Sequence, residues 1–142
     1  MIQPSEQLIR MLKEYEGLRL KAYPDGNGIW TIGYGHTHGV RQGDVIDDAM
    51  AEGFLVDDMQ WAMDCVMKRC PIHTANQFDA MVSLCYNIGC PRFQKSSVAR
   101  NHVAGNYSAA AESFLLWNKP NLLQRRMKER VIYVTEDHFD AV

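Results

Sequence analysis

The sequence predicts an α+β fold with a mainly helical lobe, a small antiparallel β-sheet lobe and a cleft between them. Hydrophobic residues recur at helical spacing near the N-terminus and again from about Asp44 to the end. Residues 18–23 instead alternate between apolar and polar side chains, and residues 17–43 carry most of the glycines. The length of 142 residues is that of one ordinary domain. We therefore expect a single domain over residues 1–142, with the β-lobe at about residues 17–43.

The first element is a short amphipathic helix. Pro4 and Ser5 provide a helix start, and Gly17 provides an end because glycine accepts the left-handed conformation found there. The apolar face of this helix is predicted to consist of Leu8, Ile9, Leu12 and Tyr15.

Two short strands are predicted next, around a turn. Residues 18–22 alternate in polarity, and residues 24–28 read Pro-Asp-Gly-Asn-Gly, which is dense turn chemistry. Residues 29–32 resume as a strand, which Gly33 and Gly35 break into a tight loop. This segment predicts a small sheet that does not form the main core.

The rest of the chain is predicted to be helical. One long helix carries an apolar stripe through residues 55–66, and residues 74–77 show the capping-box pattern that starts the next helix. Gly89 and Pro91 are expected to end that helix. Further helix starts are predicted at Ser96 or Ser97, at Ser108 and at Asn121.

The charge is nearly balanced but unevenly distributed. Fifteen basic and seventeen acidic side chains give a net charge of −2, so we expect no nucleic-acid partner, because dedicated nucleic-acid binders are basic. Residues 44–64 hold seven acids and no Lys or Arg, whereas residues 92–130 hold eight bases and only two acids. The second segment predicts a cationic surface. No apolar run approaches the roughly 20 residues of a membrane span, and charges interrupt the N-terminal segment, so we expect cytoplasmic synthesis without membrane insertion.

The four cysteines are not spaced as a zinc knuckle. Cys65 and Cys70 on one helix would lie about 8–9 Å apart, which is beyond disulfide reach. A bridge between this segment and the one holding Cys85 and Cys90 stays open, but buried thiols are the favoured interpretation.

Three side chains near the predicted sheet have the character of a catalytic site. Glu16 lies in the last turn of the first helix, where the helix dipole and apolar neighbours are expected to raise its pKa, as suits a general acid. Asp25 lies in a polar turn and is expected to stay ionised, and Thr31 on the facing strand offers a hydroxyl for a water molecule. Two carboxylates with separated pKa values are what glycoside hydrolysis requires. Without further support, a structural role for these residues is at least as common.

The spacing of Glu16, Asp25 and Thr31 resembles the catalytic pattern of the phage-type lysozymes, glycoside hydrolase family 24. The resemblance extends from about residue 5 to residue 131. It is carried by residues 14–17, 31–37, 77–83 and 86–89, then by Phe93, residues 96–97, 105–107 and 109–111, Phe114 and Trp117.

This resemblance implies a muramidase that cuts the β-1,4 bond between N-acetylmuramic acid and N-acetylglucosamine in peptidoglycan. Glu16 would protonate the glycosidic oxygen, Asp25 would position or activate the attacking water, and Thr31 would help to hold that water. The family is regarded as inverting, which requires carboxyl groups roughly 6.5–9.5 Å apart. No cofactor or metal is expected. Substrate contacts are implied for His36 and Thr37 in the β-lobe, for Asn87 and Gly89 in the helical lobe, and for Trp117.

The resemblance also implies how the enzyme reaches its substrate. It would be a monomer made in the host cytoplasm, and a holin would release it to act on the wall in the periplasm. A lytic transglycosylase and a non-catalytic wall-binding or virion module are the alternatives. The first needs no water-handling Asp, so Asp25 and Thr31 argue against it. A metal-dependent amidase built on His36 and His38 is disfavoured, because no third ligand is evident.

The sequence departs from the family pattern after Trp117. The usual Gly-rich segment is missing, and the loop of residues 118–121 is short. Arg125, Arg126 and Glu129 keep their relative places. Two neighbouring arginines on an amphipathic helix usually form a solvated face or an ion-pair anchor. Their place in the family motif favours a structural pair with Glu129 or with another acid of the domain.

Overall fold

The computed structural model describes residues 2–119 and 121–136, so both ends of the predicted domain and Pro120 of the short loop lie outside the described residues. The described chain is mainly helical with one two-stranded antiparallel sheet, which confirms the α+β prediction. It divides into two compact units, Gln3–Gln60 and the chain from Trp61 onward. None of the helices in the described residues has the length and apolar character of a membrane span.

Helix α1, Glu6–Glu16, begins and ends where the sequence predicts. The Ser5 hydroxyl accepts a hydrogen bond from the Leu8 amide at 3.0 Å, and Gly17 ends the helix with a positive φ of 69°. Its buried face consists of Leu8, Met11 and Leu12.

Strands β1, Arg19–Pro24, and β2, Trp30–Gly33, form the antiparallel hairpin. Tyr23 pairs with Thr31, and the register is irregular between Arg19 and Tyr23. A further segment joins the free edge of β1, where the Ala22 amide donates to the Asp44 carbonyl at 2.9 Å.

The long helix predicted through residues 55–66 is wrong, because the structure has two helices there. Helix α2 spans Asp48–Asp58 and α3 spans Gln60–Arg69. The chain turns at Met59, whose amide bonds to the carbonyls of both Leu55 and Asp57 and whose side chain is fully buried. Periodicity alone does not show such a turn, since the apolar stripe continues through it.

The second unit is built around α4, Ala75–Ile88, which is buried continuously from Phe78 to Cys85. The capping box is present: the Thr74 hydroxyl accepts from the Gln77 amide, and the Gln77 side chain accepts from the Thr74 amide, each at 3.0 Å. Helix α4 packs against α8. The remaining elements are α5 Cys90–Lys95, α6 Ser97–Val103, α7 Tyr107–Ser113, a 3₁₀ helix Phe114–Leu116 and α8 Leu123–Val134.

These helix bounds test the predicted starts and stops. Ser96 caps α6, as predicted, and α7 begins one residue before Ser108. Helix α8 begins two residues after Asn121, whose positive φ of 56° places it outside the helix. Helix α4 ends at Ile88 with Gly89 as its cap, so the predicted stop is confirmed. Pro91 lies in the first turn of α5, where the helix needs no N–H donor from it.

The preference for buried thiols is wrong for two of the four cysteines. Cys65 on α3 and Cys90 at the start of α5 form a disulfide with their Cα atoms 6.0 Å apart, so the fold brings together the two segments that the sequence left open. Cys70 and Cys85 are buried free thiols, as predicted. Burial raises the pKa of Cys70 to about 11 and that of Cys85 to about 12, so both stay protonated.

We predict that the disulfide contributes measurably to stability. The bridge joins residues 25 positions apart, and the double variant Cys65→Ser/Cys90→Ser should lose about 3 kcal/mol of unfolding free energy because its unfolded chain is less constrained. Urea unfolding under oxidising conditions measures this. Dithiothreitol should lower the wild type to the variant's stability and leave the variant unchanged. A variant as stable as the oxidised wild type would contradict the prediction.

We also predict a loss of stability at acidic pH that arises at His102. The ring accepts from the Tyr133 hydroxyl at 2.8 Å and donates to the Ile72 carbonyl at 2.7 Å. Burial lowers the pKa of His102 below its usual 6.5. The unfolded chain therefore binds a proton that the folded chain resists, and the stabilisation present above pH 6.5 is lost as the pH falls below it.

The variant His102→Gln tests this prediction, and His38→Gln is the control because His38 is exposed. Thermal unfolding at pH 7.5 and 5.5 should show a smaller difference for His102→Gln than for the wild type, and an unchanged difference for His38→Gln. Equal pH dependence in all three proteins would rule His102 out.

Candidate active site

Glu16 is the last residue of α1, and its side chain is exposed. Glu16 therefore lies at a helix end, as predicted, but apolar neighbours do not bury its carboxyl group. The loop after β2 approaches the carboxylate closely: a Cβ atom on Gly35 would lie 3.6 Å from Glu16 Oε2. Gly35 has a positive φ of 82°, so glycine at this position permits the turn, while a Cβ there would come into van der Waals contact with the carboxylate.

The last turn of α1 also carries Lys13, which is turned toward α2. Its ammonium lies 2.5 Å from Glu52 Oε1 and 5.7 Å from the centre of the Tyr34 ring. The hydrogen bond that Lys13 donates to the Glu52 carboxylate raises the pKa of Lys13. The positive charge in the last turn of α1 is thus engaged by another acid.

Asp25 directly follows β1 and closes the hairpin turn with its own side chain. Its Oδ1 accepts from the amides of Asn27 at 2.8 Å and Ile29 at 2.9 Å. The Asp25 amide donates to the Ile29 carbonyl at 2.9 Å, which fixes the backbone as well. Asp25 Oδ2 accepts no hydrogen bond from any residue that the structure describes. The turn therefore holds the carboxylate by one oxygen and leaves the other to solvent or ligand.

Thr31 is buried on β2, and its hydroxyl proton is already used. Thr31 Oγ1 donates to the Ile29 carbonyl at 2.9 Å. The hydroxyl oxygen can still accept a hydrogen bond. Ile29 thus connects the two side chains, because its amide binds Asp25 and its carbonyl binds Thr31.

His36 is buried and is held by side chains of α2. Its Nδ1 lies 2.8 Å from Asp58 Oδ2, and its ring stacks on Phe54 with the centroids 4.2 Å apart. The ring lines a pocket of about 600 Å³ that Ile32 also lines and Thr31 does not. Since neighbouring residues of a strand face opposite sides, these contacts suit a structural role for His36 better than the implied sugar contact. Thr37, the other implied contact in this unit, is exposed.

In the second unit, Asn87 and Trp117 line one pocket of about 420 Å³, together with Ile88, Arg92, Leu116, Asn118, Lys119 and Leu122. Asn87 is exposed at the end of α4, and Trp117 follows the 3₁₀ helix. Gly89 is absent from the described lining of this pocket and instead ends α4, with a positive φ of 92°. The structure therefore brings together two of the three substrate residues predicted in this unit.

The solvated-face interpretation of the arginine pair is wrong for Arg126, and the predicted pair with Glu129 is confirmed. Both side chains are 0% exposed, with Arg126 Nη1 2.5 Å from Glu129 Oε1. Ser83 on α4 donates to Glu129 Oε2 at 2.5 Å. Helical spacing in the sequence could have indicated this burial. Residues 126, 129 and 133 share one helix face, and Tyr133 is also buried.

The remaining contacts of Arg126 join it to residues far away in the sequence. Its Nε donates to the Trp117 carbonyl at 2.7 Å, and its Nη2 donates to Asn87 Oδ1. These partners lie 9 and 39 positions away, and no local pattern links them.

A carboxylate at a helix end, with a second carboxylate and a hydroxyl on the adjoining hairpin, provides the groups needed to cleave a glycosidic bond. These groups suit the hydrolysis of glycosides.

Comparison with known proteins specifies the class. Residues 13–129 match the family model described as phage lysozyme. The endolysin of Salmonella phage P22 is 42% identical over 95% of this chain and all of its own length. The endolysin of Acyrthosiphon pisum secondary endosymbiont phage 1 is 39% identical over 91% of this chain and 96% of its own. A crystal structure of a point mutant of P22 lysozyme superposes with a TM-score of 0.88 at 42% identity, covering 95% of this chain and all of that one.

The chain belongs to the phage lysozyme family. Its lysozyme-like fold and its cell-wall lytic function of the muramidase type follow from this membership.

We predict that the approach of Gly35 to Glu16 is required for activity. Gly35→Ala should lower stability by about 1 kcal/mol because of its left-handed backbone, and its methyl group, in van der Waals contact with Glu16 Oε2, should also reduce lytic activity by occupying space beside the carboxylate. Gly39→Ala is the matched control, since Gly39 has a φ of 71° and open space around it.

Chemical denaturation and a turbidity assay of lysis measure the two effects. We expect both variants to lose the same stability, and only Gly35→Ala to lose lytic activity. Equal activity in the two variants would contradict a role for this approach.

Proposed function

We propose that this enzyme hydrolyses the β-1,4 bond between N-acetylmuramic acid and N-acetylglucosamine, with Glu16, Asp25 and Thr31 as its catalytic residues. The observation that carries the proposal is the held carboxylate of Asp25, with one oxygen used by the turn and the other available to ligand, connected through Ile29 to Thr31. Such a group suits the handling of a water molecule. The residues 1–142 would form one catalytic domain.

Glu16 would act as the general acid. It would donate its proton to the glycosidic oxygen as the bond from that oxygen to the anomeric carbon breaks. Its place at the C-terminal end of α1 supports this role, because the negative end of the helix dipole favours the protonated carboxyl. The approach of Gly35 leaves space for a sugar oxygen beside the carboxylate.

Asp25 and Thr31 would hold the attacking water. Because the Thr31 hydroxyl proton is given to Ile29, the water would donate one hydrogen bond to Thr31 Oγ1 and the other to Asp25 Oδ2. Both of its protons then point away from the sugar, and a lone pair is left to attack the anomeric carbon. As the new carbon–oxygen bond forms, Asp25 would take the proton and its charge would offset the positive charge developing on the sugar ring. Attack from the face opposite Glu16 inverts the anomeric configuration.

The enzyme must also reach the peptidoglycan outside the cytoplasm. The enzyme would be made in the host cytoplasm, reach the periplasm after holin release, and act there as a monomer on peptidoglycan, without a cofactor, a nucleic-acid partner or membrane insertion. The support is its membership of a family whose relatives are named endolysins. The residues that would contact the glycan are Asn87, Trp117, His36, Thr37 and Gly89.

We predict that Glu16→Gln reduces hydrolysis of purified peptidoglycan by roughly a hundredfold or more, the usual contribution of a general acid. Its stability should stay level or rise, because the variant removes a negative charge from the end of a helix. Glu14→Gln, an exposed change two residues earlier on α1, is the control and should keep wild-type activity.

The fragments released in the same peptidoglycan digests are identified by mass spectrometry. Reducing-end muramic acid is expected from the wild type. Anhydromuramic ends would identify a lytic transglycosylase instead, wild-type rates in Glu16→Gln would remove Glu16 as the acid, and an inert wild type would indicate a non-catalytic module.

A further inference from the structure

One guanidinium group connects three separate elements of the second unit. Arg126 on α8 is fully buried. It donates through Nη1 to Glu129 on its own helix, through Nε to the Trp117 carbonyl after the 3₁₀ helix, and through Nη2 to Asn87 Oδ1 at the end of α4. Two of these partners, Asn87 and Trp117, line the 420 Å³ pocket.

Stability alone does not explain this buried pair. Burial raises the pKa of Glu129, while Arg126 and Ser83 act in the opposite direction, so the desolvation of both charges opposes folding. Apolar residues of similar volume fill such sites equally well or better. A guanidinium differs from them because its rigid planar fork fixes several acceptors at once.

The chemistry of Arg126 also sets the orientation of the Asn87 amide. Arginine has only donors, so the amide oxygen of Asn87 must face it. The amide nitrogen, with its two N–H donors, is then turned away from Arg126 on a side chain that is exposed and lines the pocket. Asn87 is thus presented to a ligand as a donor, and its natural partner is an acceptor such as a carbonyl oxygen.

We propose that Arg126 is a positioning residue of the glycan-binding pocket, which holds Asn87 and Trp117 at a fixed spacing and directs the Asn87 amide N–H groups to the acetamido carbonyl of an N-acetylated amino sugar. This inference rests on the proposed function, since it takes Asn87 and Trp117 as glycan contacts. The exposed bases Arg92 and Lys119 line the same pocket and suit a wall polymer that carries carboxylates.

The test uses soluble glycan strands from peptidoglycan, four variants and one combination of two of them. Arg126→Lys keeps a charge beside Glu129, but a single ammonium cannot span the three acceptors. Arg126→Met/Glu129→Leu replaces the pair by apolar side chains in case the lysine variant fails to fold. Asn87→Asp keeps an acceptor for Arg126 and removes the N–H donors from an exposed position. Arg130→Met is the control, because Arg130 lies on α8 and pairs with the exposed Glu112 at 2.7 Å.

The first three variants are expected to raise KM about tenfold, the effect of losing one charge-assisted or oriented hydrogen bond, with kcat changed less than about twofold. Arg130→Met should leave both constants unchanged. The wild type should prefer N-acetylated over de-N-acetylated glycan, and the three variants should lose that preference. Combining Arg126→Lys with Asn87→Asp should raise KM no further than either change alone, because both act through one contact.

Three results would overturn the proposal. They are an unchanged KM in Asn87→Asp, additive effects in the combined variant, and a retained preference for N-acetylated glycan in folded Arg126 variants. Failure of the proposed function is distinguishable, because it shows as activity in Glu16→Gln or as anhydromuramic products, neither of which depends on Arg126.

Discussion

The hydrogen bonds from the amides of Asn27 and Ile29 to Asp25 Oδ1 are the contacts on which the candidate site depends. They close the hairpin turn, and through the Ile29 carbonyl they also fix the hydroxyl of Thr31. One side chain therefore serves the fold with one oxygen and the proposed chemistry with the other. A catalytic carboxylate on a mobile turn would sample many positions, whereas this one is preorganised before substrate arrives.

The loop after β2 extends this constraint to Glu16. Gly33 and Gly35 both have positive φ, and each removes a Cβ where the loop meets another element, α2 at Ala51 and α1 at Glu16. The loop ends at His36, whose amide and carbonyl both pair with Ile32 and whose ring is held by Asp58 and Phe54. His36 thus fixes the far end of a loop whose middle meets the proposed acid, a function that needs no sugar contact.

The sequence allowed good prediction wherever a few neighbouring residues decide the structure. The Ser5 cap, the Gly17 stop and the Thr74–Gln77 capping box are interactions within one helical turn. The turn at Met59, the Cys65–Cys90 bridge and the burial of Arg126 each depend on residues that meet only after folding. Asp25 could be chosen from its turn and from family resemblance. Which of its two oxygens binds the turn, and which one stays available, depends on the folded geometry of residues 25–29.

The buried pair also bears on the charge of the segment from residue 92 to residue 130. Eight bases and two acids predict a cationic surface, yet Arg126 and Glu129 do not reach solvent. Because burial removes one base and one acid together, the excess positive charge of the segment is unchanged. Arg130 is partly neutralised by Glu112 at the surface, whereas Arg92 and Lys119 remain at the pocket that Asn87 and Trp117 line. Under the proposed function, different basic residues would attract the anionic wall and orient Asn87 toward a neutral acetamido group. The first are exposed and screened by salt, whereas the second is buried and screened much less.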